Sequence, residues 1–140
     1  MRLAALTPHF VWEDALGYAM THGRVRWTGA LLLADGLELA VKKTQAMRLG
    51  AAGLEVRTER YAYQLLRPAA GEGRRGVFRY DNFHDHPNHP DAHHCHRYQD
   101  DGTQIEPPEY IGAAGWPTLG DVLDEAFRWW CDHLQPPAPR

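Results

Sequence analysis

The stretch from residue 54 to residue 67 constrains the fold of this chain more than any other. Its sequence, LEVRTERYAYQLLR, places these side chains on alternate positions: Glu55, Arg57, Glu59, Tyr61, Tyr63 and Leu65. A period of two residues is the pattern of a β-strand, with successive side chains on opposite faces. Because a lone strand leaves its backbone groups without partners, the run predicts a sheet that other parts of the chain complete.

Shorter stretches with the same alternation are predicted to be the other strands. They cover residues 24–33, 37–43 and 76–81, and a last strand begins near residue 93 and runs through Tyr98 towards Ile105, with a break at 100–102. Asp35-Gly36 is a strong signal for a two-residue hairpin turn. Gly50 and Gly53 favour a loop over residues 44–53, with room for a turn of helix. Residues 82–92 and 107–117 are predicted to be an irregular loop and a Pro/Gly-rich connector.

Two stretches have the spacing of a helix instead. After the Thr7-Pro8 pair, Trp12, Leu16 and Met20 follow at four-residue steps, so residues 8–21 are predicted to form a short helix that Gly23 ends. Thr118 and Asp121 have the spacing of a capping box. The apolar stripe that follows them predicts an amphipathic helix and consists of Leu119, Val122, Leu123, Ala126, Phe127, Trp130 and Leu134.

These elements predict an α+β fold. We expect about five mostly antiparallel strands, a short N-terminal helix, and a C-terminal amphipathic helix packed on one face of the sheet. Residues 1–134 would form a single domain, and residues 135–140 a frayed tail. Helices on one face leave the other face open for a substrate.

Composition excludes several classes of protein. Apolar residues make up 44% of the chain and include five Trp, which argues against global disorder. No apolar run approaches the roughly 20 residues that a membrane helix needs, and the N-terminus is too weakly apolar for a signal peptide. Two cysteines, Cys95 and Cys131, do not make a disulfide framework. The composition therefore favours a cytoplasmic protein.

Charge is distributed unevenly along the chain. Residues 1–97 contain 13 Lys or Arg and 10 Asp or Glu, whereas residues 98–140 contain 2 Lys or Arg and 8 Asp or Glu. The net charge of −3 is therefore the sum of a basic larger part and an acidic C-terminal part. A basic body attracts a polyanion such as RNA. An excess this small is equally typical of an ordinary solvated surface.

Six of the nine histidines lie between residues 77 and 98, in a histidine-rich segment: His84, His86, His89, His93, His94 and His96. If the strands at 76–81 and 93–98 pair, Arg79, Asp81, His94 and His96 project from one face into a solvent-open hollow. They would supply an acid, a base and a cation there. RNA cleavage by transesterification needs such groups, because a base deprotonates the 2′-hydroxyl, an acid protonates the leaving 5′ oxygen, and a cation stabilises the phosphate.

The same residues have other interpretations. His84-x-His86 and His94-x-His96 are two pairs of alternating ligands that could bind zinc, although the chain has no CxxC and no HExxH motif. A non-enzymatic binding module with a histidine-rich loop for a metal or a partner, and a hydrolase or transferase acting on nucleotides, remain alternatives. Asp81-Asn82 could instead form an Asx-type turn, and Arg79–Asp81 an exposed ion pair.

The motifs together resemble the TumE-type toxins of bacterial toxin–antitoxin systems. The resemblance covers roughly residues 54–134 and is carried by Tyr61-Ala62-Tyr63, the run Phe78-Arg79-Tyr80-Asp81-Asn82, His94-Cys95-His96, and the closing helix after Pro117. It implies a small cytoplasmic protein that inhibits growth and is neutralised by an antitoxin, often a helix-turn-helix protein. Members tend to have a lysine between the two histidines, so Cys95 would remove a charge if that lysine contacts phosphate.

We therefore expect a metal-independent endoribonuclease toxin. The expected catalytic residues are Arg79, Asp81, His94 and His96. The expected substrate-binding residues are Tyr61, Tyr63, Tyr80, Asn82 and Arg97, although sheet packing is the favoured role of the first two. No cofactor is expected. If zinc or another divalent metal binds, its ligands would come from His84, His86, His94 and His96.

Overall fold

A computed structural model describes residues 9–71, 73–83 and 92–134. In this part of the chain there are seven strands and two α-helices: β1 (Val11–Thr21), β2 (Arg24–Leu33), β3 (Glu38–Gly50), β4 (Gly53–Pro68), β5 (Arg74–Asp81), β6 (His94–Tyr98), β7 (Gln104–Tyr110), α1 (Gly112–Gly115) and α2 (Leu119–His133). A single 3-10 turn, Ala34–Gly36, connects β2 to β3. The strands lie in one sheet in sequence order, each antiparallel to its neighbours. The predicted α+β class broadly fits, but five strands was too low a number.

The predicted N-terminal helix is wrong, because residues 11–21 form strand β1. Its partner is β2, and the register runs from Thr21 opposite Arg24 to Val11 opposite Leu33. His22 and Gly23 join the two strands with φ angles of 51° and 75°. Positive φ at both central residues is the geometry of a tight hairpin turn. The glycine predicted to end a helix instead turns the chain back into the sheet.

The predicted loop at residues 44–53 is also wrong, because β3 and β4 continue through it. Cross-strand pairs extend to Leu49 opposite Leu54 and Gly50 opposite Gly53. The predicted break at residues 100–102 becomes a hairpin turn that separates β6 from β7, rather than an interruption within one strand. Strand β7 occupies part of the predicted connector and contains two prolines, which a strand tolerates when it has a neighbour on only one side.

Strand β4 changes phase at a β-bulge. Thr44 of β3 pairs with Arg60, but the next β3 residue pairs with Thr58, so Glu59 is the extra residue. Beyond the bulge, Val56 shares a face with Tyr61. The expectation that Glu55, Arg57 and Tyr61 lie on one face is therefore wrong.

Helix α2 begins as predicted. The Thr118 hydroxyl accepts a hydrogen bond from the backbone N–H of Asp121 at 3.1 Å, and the Asp121 carboxylate accepts one from the backbone N–H of Thr118 at 2.9 Å. These bonds form a capping box that satisfies two backbone donors at the start of the helix. Burial of Val122, Leu123 and Ala126 shows that the predicted apolar stripe faces the sheet.

The core lies between α2 and one face of the sheet, which we call the helix face. Its buried strand residues are Leu31, Leu33, Leu39, Val41, Tyr61, Tyr63, Leu65, Phe78 and Cys95. Phe10, just before β1, contacts Phe127 and Trp130 with ring centroids 5.3 Å away in both cases. The opposite side of the sheet, which we call the open face, has no helix packed on it in the described residues.

The far ends of β1 to β4 extend past the helix. Side chains there follow the helix-face alternation but stay exposed: Tyr18 65%, Met20 61%, Leu49 82%, Leu54 63% and Val56 51%. A hydrogen-bonded chain crosses this area from the Trp27 indole to the Gln45 amide at 3.0 Å and on to the Thr58 hydroxyl at 3.3 Å. Within the described residues, no helix is long and apolar enough to cross a membrane.

Two leucines on β4 test this division between core and extension. Leu65 is 0% exposed and Leu54 is 63% exposed. We expect Leu65→Ala to lower the free energy of unfolding by about 2–5 kcal/mol, because it leaves a cavity in the core. Leu54→Ala is the matched control and should change it by less than about 0.5 kcal/mol. Urea denaturation followed by circular dichroism measures both, and equal losses would contradict the assigned core.

Candidate functional site

Strands β5 and β6 bring four of the predicted site residues together. Arg79 lies opposite His96, and Asp81 lies opposite His94. Cross-strand partners share a face of the sheet, and residues two apart on one strand share it too. The four side chains therefore lie together on the open face, on the side of the sheet away from α2.

The Asp81 carboxylate is the centre of this cluster. Its Oδ2 lies 2.8 Å from Arg79 Nε, and its Oδ1 lies 3.3 Å from His94 Nε2. Oδ1 also accepts a hydrogen bond from the backbone N–H of Phe83 at 3.2 Å, which is the Asx-type turn considered above. Because an unpaired charge is costly to bury, these partners account for a carboxylate with no exposed surface.

The orientation of the His94 ring is fixed by its other nitrogen. Nδ1 lies 2.8 Å from the Ala92 carbonyl oxygen. A carbonyl oxygen only accepts, so the hydrogen-bond geometry assigns a proton to Nδ1. Nε2, which faces Asp81, therefore donates when the ring is doubly protonated and presents a lone pair when the ring is neutral. This atom can hold a proton or coordinate a metal.

Solvent reaches only part of the cluster. Asp81 and His94 are 0% exposed, whereas 33% of the Arg79 side chain is exposed and His96 is partly buried. The rings of His94 and His96 meet edge to face with centroids 4.6 Å apart. The expectation that all four groups line a solvent-open hollow is therefore wrong for Asp81 and His94. Arg79 and His96 are the two members that an external molecule can touch.

Three of these groups have the donor atoms of a metal site. One ligand atom each from Asp81, His94 and His96 lies within 4.8 Å of the other two. Two imidazoles and one carboxylate are ligands that zinc accepts. Of the metal ligands suggested by the sequence, His84 and His86 lie outside the described residues. Asp81 was not among those suggested, and strand pairing is what brings it to the histidines.

A groove next to the cluster contains polar residues that sequence analysis did not single out. Its volume is about 160 Å³, and Lys42, Gln64 and Arg79 are among the residues that line it. Gln64 lies opposite Arg79, and Lys42 lies one strand further across the sheet. The signal was present in the alternation of residues 37–43, where Lys42 falls on the face opposite Leu39 and Val41.

Tyr61 and Tyr63 lie in the core rather than in the cluster. They are 0% and 2% exposed on the helix face. Tyr61 contacts the Trp116 ring at a centroid distance of 5.0 Å, and its hydroxyl lies 3.0 Å from His93 Nδ1. Burial raises the pKa of Tyr63 to about 12. Both side chains therefore belong to the core between the sheet and α2, which is the role that the sequence favoured for them.

Tyr80 and Arg97 also lie on the helix face, where they attach α2 to the sheet. The Tyr80 hydroxyl donates to Glu125 Oε2 at 2.7 Å, and Arg97 Nη1 donates to Glu125 Oε1 at 2.8 Å. Burial raises the pKa of Tyr80, and the hydrogen bond to Glu125 makes a second, smaller contribution in the same direction. The two residues expected to bind substrate are thus on the opposite side of the sheet from Arg79 and His96.

Asn82 links β5 to β4. Its side-chain oxygen accepts a hydrogen bond from the backbone N–H of Tyr61 at 2.9 Å, and its side-chain nitrogen donates to the Glu59 carbonyl at 3.0 Å. These bonds lie next to the bulge at Glu59. The structure therefore gives Asn82 a set of backbone contacts that fixes the end of β5.

Cys95 faces the core, between the two histidines of the cluster in sequence but on the other side of the sheet. It is 1% exposed. A lysine at this position would extend on the helix face, where Tyr80 is the cross-strand partner. The concern that Cys95 removes a phosphate-binding charge from the cluster is therefore wrong, because strand alternation directs this position away from it.

The fold and the cluster define a small α+β protein with a histidine-containing polar site on the open face of its sheet. The family model described as Toxin TumE matches residues 8–130, and the chain belongs to this family. No curated protein and no solved structure matches the chain. Membership supports a toxin of a toxin–antitoxin system and implies an antitoxin as its partner. The resemblance drawn from residues 54–134 is confirmed, and the match includes the N-terminal third.

Thiol chemistry tests the placement of Cys95. Burial raises the pKa of the Cys95 thiol to about 11, whereas Cys131 is exposed on α2. Because the thiolate is the reactive form, we expect an alkylating reagent near pH 8 to modify Cys131 in the folded protein and Cys95 only after denaturation. Mass spectrometry of the peptides measures both sites. Labelling of Cys95 as fast as Cys131 in the folded protein would contradict a core position.

Proposed function

We propose that this toxin inhibits growth by cleaving RNA through acid–base chemistry at the cluster of Arg79, Asp81, His94 and His96. The observation that carries the proposal is their convergence: an ion pair of 2.8 Å, a His–Asp contact of 3.3 Å and a second imidazole in contact with the first. An imidazole changes its proton near neutral pH, and a guanidinium keeps its charge. Together they are the groups that phosphodiester cleavage by transesterification uses.

The exposed members of the cluster would act on the substrate. His96 takes the proton of the 2′-hydroxyl, whose oxygen attacks the adjacent phosphorus to form a 2′,3′-cyclic phosphate. The bond from phosphorus to the 5′ oxygen breaks, and that oxygen takes a proton from His96 or from water. Arg79 stabilises the charge that builds on the phosphate oxygens.

The buried members would position the exposed ones. Asp81 holds the Arg79 guanidinium, and the His94 ring packs against His96. His94 itself is held between Asp81 and the Ala92 carbonyl. Groups held in this way lose little freedom when a substrate binds, which favours reaction.

The antitoxin would block this chemistry, either by covering the open face or by distorting it. We propose that the antitoxin is a helix-turn-helix protein encoded next to the toxin. We also propose that the toxin acts in the cytoplasm, where its RNA target is found. A neighbouring reading frame with a helix-turn-helix would support this pairing. A neighbour without that motif whose product restores growth would rule out this type of antitoxin.

Substitutions at the two exposed positions test the reaction. We expect His96→Ala to slow cleavage of a single-stranded RNA by about 10²–10⁴-fold and Arg79→Ala by about 10²–10³-fold. Both should also restore growth of cells that express the protein. His133→Ala, at an exposed position on α2, is the matched control and should cleave at the wild-type rate.

The assay should contain EDTA, and the products should carry a 2′,3′-cyclic phosphate end. Circular dichroism confirms that each variant is folded. Unchanged cleavage by folded His96→Ala would rule out the proposed role of His96. Cleavage that requires added magnesium would rule out the metal-independent reaction.

Metal binding at Asp81, His94 and His96 is a second candidate function, because their ligand atoms lie within 4.8 Å of one another. The bond from His94 Nδ1 to the Ala92 carbonyl also orients Nε2 as in many metal-binding histidines. Arg79 opposes this candidate, since its guanidinium already contacts Asp81 Oδ2.

Elemental analysis of protein purified without a histidine tag separates the two candidates. If the cluster binds zinc, the protein should contain about one zinc per chain, which His96→Ala should lose and His133→Ala should keep. Zinc-free protein that cleaves RNA would leave the acid–base proposal in place and exclude the metal.

A further inference from the structure

Four cations lie on the open face beside one another. Arg26 of β2 lies level with Thr44 of β3 and Arg60 of β4. Lys42 of β3 lies in the next row, in line with Asp81 across β4. Arg79 of β5 lies three strands across from Arg26 and level with Gln64, four residues along β4 from Arg60. With about 4.8 Å between strands and about 3.4 Å per residue along them, the backbone positions of Arg26 and Arg79 are about 20 Å apart.

The surface between these cations is a shallow groove. Its floor includes short side chains from β2, β3 and β4, namely Thr28, Ala40, Thr44 and Ala62. One part, of about 160 Å³, ends at Arg79. A second part, of about 500 Å³, includes Arg26, Arg60 and Phe83. Thr28 and Lys42 line both parts. The two parts are therefore continuous, and we call them together the cationic groove, which leads to the cluster.

The charges in this groove are available to a ligand. Among the described residues, no carboxylate lies within 4.0 Å of the cationic groups of Arg26, Lys42 or Arg60. Three other arginines on the sheet are paired: Arg24 with Glu59, Arg48 with Glu55, and Arg74 with Glu38. Glu59 also lines the larger part of the groove, but its carboxylate is bound to Arg24 at 3.0 Å, so positive charge predominates on this concave surface and attracts a polyanion.

An aromatic ring lies at the edge of the groove. The Arg60 guanidinium carbon is 5.9 Å from the centre of the Phe83 ring, and both residues line the larger part. Phe83 lies two residues after Asp81, the last residue of β5. Its backbone N–H donates a hydrogen bond to the Asp81 carboxylate at 3.2 Å. The backbone of Phe83 is therefore anchored beside the cluster, and an aromatic ring beside cations is the usual platform for an unpaired base.

We infer that the cationic groove binds single-stranded RNA, with Arg26, Lys42 and Arg60 on its phosphates and one base stacked on Phe83. The inference rests on the proposed cleavage, because it leads the strand to Arg79 and His96. His96 is only partly exposed, so the sugar–phosphate backbone must approach the sheet closely. A single strand can follow the floor of short side chains and expose a base to Phe83, whereas a duplex keeps its bases stacked inside.

Binding of a strand that cannot be cleaved tests the groove without the chemistry. The probe is a fluorescent single-stranded RNA of about ten nucleotides with 2′-O-methyl groups throughout, measured by fluorescence anisotropy at several salt concentrations. We expect Arg26→Ala and Lys42→Ala each to weaken binding by about five- to tenfold and to reduce the salt slope by about 0.7. Phe83→Leu should weaken binding by about tenfold with the salt slope unchanged.

Two controls separate the groove from the active site and from general charge. Arg128→Ala removes an exposed cation on α2, on the other side of the sheet, and should bind like the wild type. His96→Ala should bind the methylated strand normally while failing to cleave unmodified RNA. If Arg26→Ala and Lys42→Ala bind like Arg128→Ala, or if the wild type prefers a duplex, the inference is wrong.

The result also distinguishes this inference from the cleavage proposal. If the groove variants weaken RNA binding as expected but the wild type does not cleave RNA, the cleavage proposal is overturned and the RNA-binding groove is retained. Cleavage with no effect of the groove variants on binding would overturn the groove alone. If those variants bind RNA normally but escape the antitoxin, the groove is a protein-docking surface and the inference is overturned.

Discussion

The organisation of the open face depends on the balance of charge around one buried carboxylate. Asp81 is held by Arg79 from its own strand and by His94 from the next, so the pairing of β5 with β6 and the electrostatics of the cluster stabilise each other. Removing either partner would leave charge where water cannot solvate it. The cluster is therefore fixed on its buried side and accessible only at Arg79 and His96.

The two faces of the sheet divide structure from chemistry. On the helix face, aromatic rings and the contacts of Glu125 with Tyr80 and Arg97 attach α2. On the open face, short side chains alternate with cations along the strands. The same two strands, β5 and β6, supply both faces, because successive residues point in opposite directions. Tyr80 is therefore a neighbour of Arg79 and Asp81 in sequence but contacts α2 on the opposite side of the sheet.

Sequence predicted the parts of the fold whose periodicity is unambiguous. The strand at 54–67 and the α2 capping box follow from local pattern. The convergence of Arg79 with His96 also required the expected pairing of the adjacent strands β5 and β6. The N-terminal helix was wrong because side chains spaced by four residues, such as Leu16 and Met20, share a face in a strand as well as in a helix. Burial of His94 and the cations from β2 to β4 depend on pairing between distant strands, which no local pattern specifies.

The bulge at Glu59 gives β4 two phases of alternation in one continuous strand. On one side of it the apolar positions include Tyr61 and Tyr63, and on the other side they include Leu54 and Val56. The extra residue is what lets both stretches of this strand present their apolar side chains to the helix face, although those side chains are out of phase in the sequence. Loss of Glu59 would therefore remove the bulge and leave Thr58 opposite Gln45, so that neither half of the strand would change the face it presents.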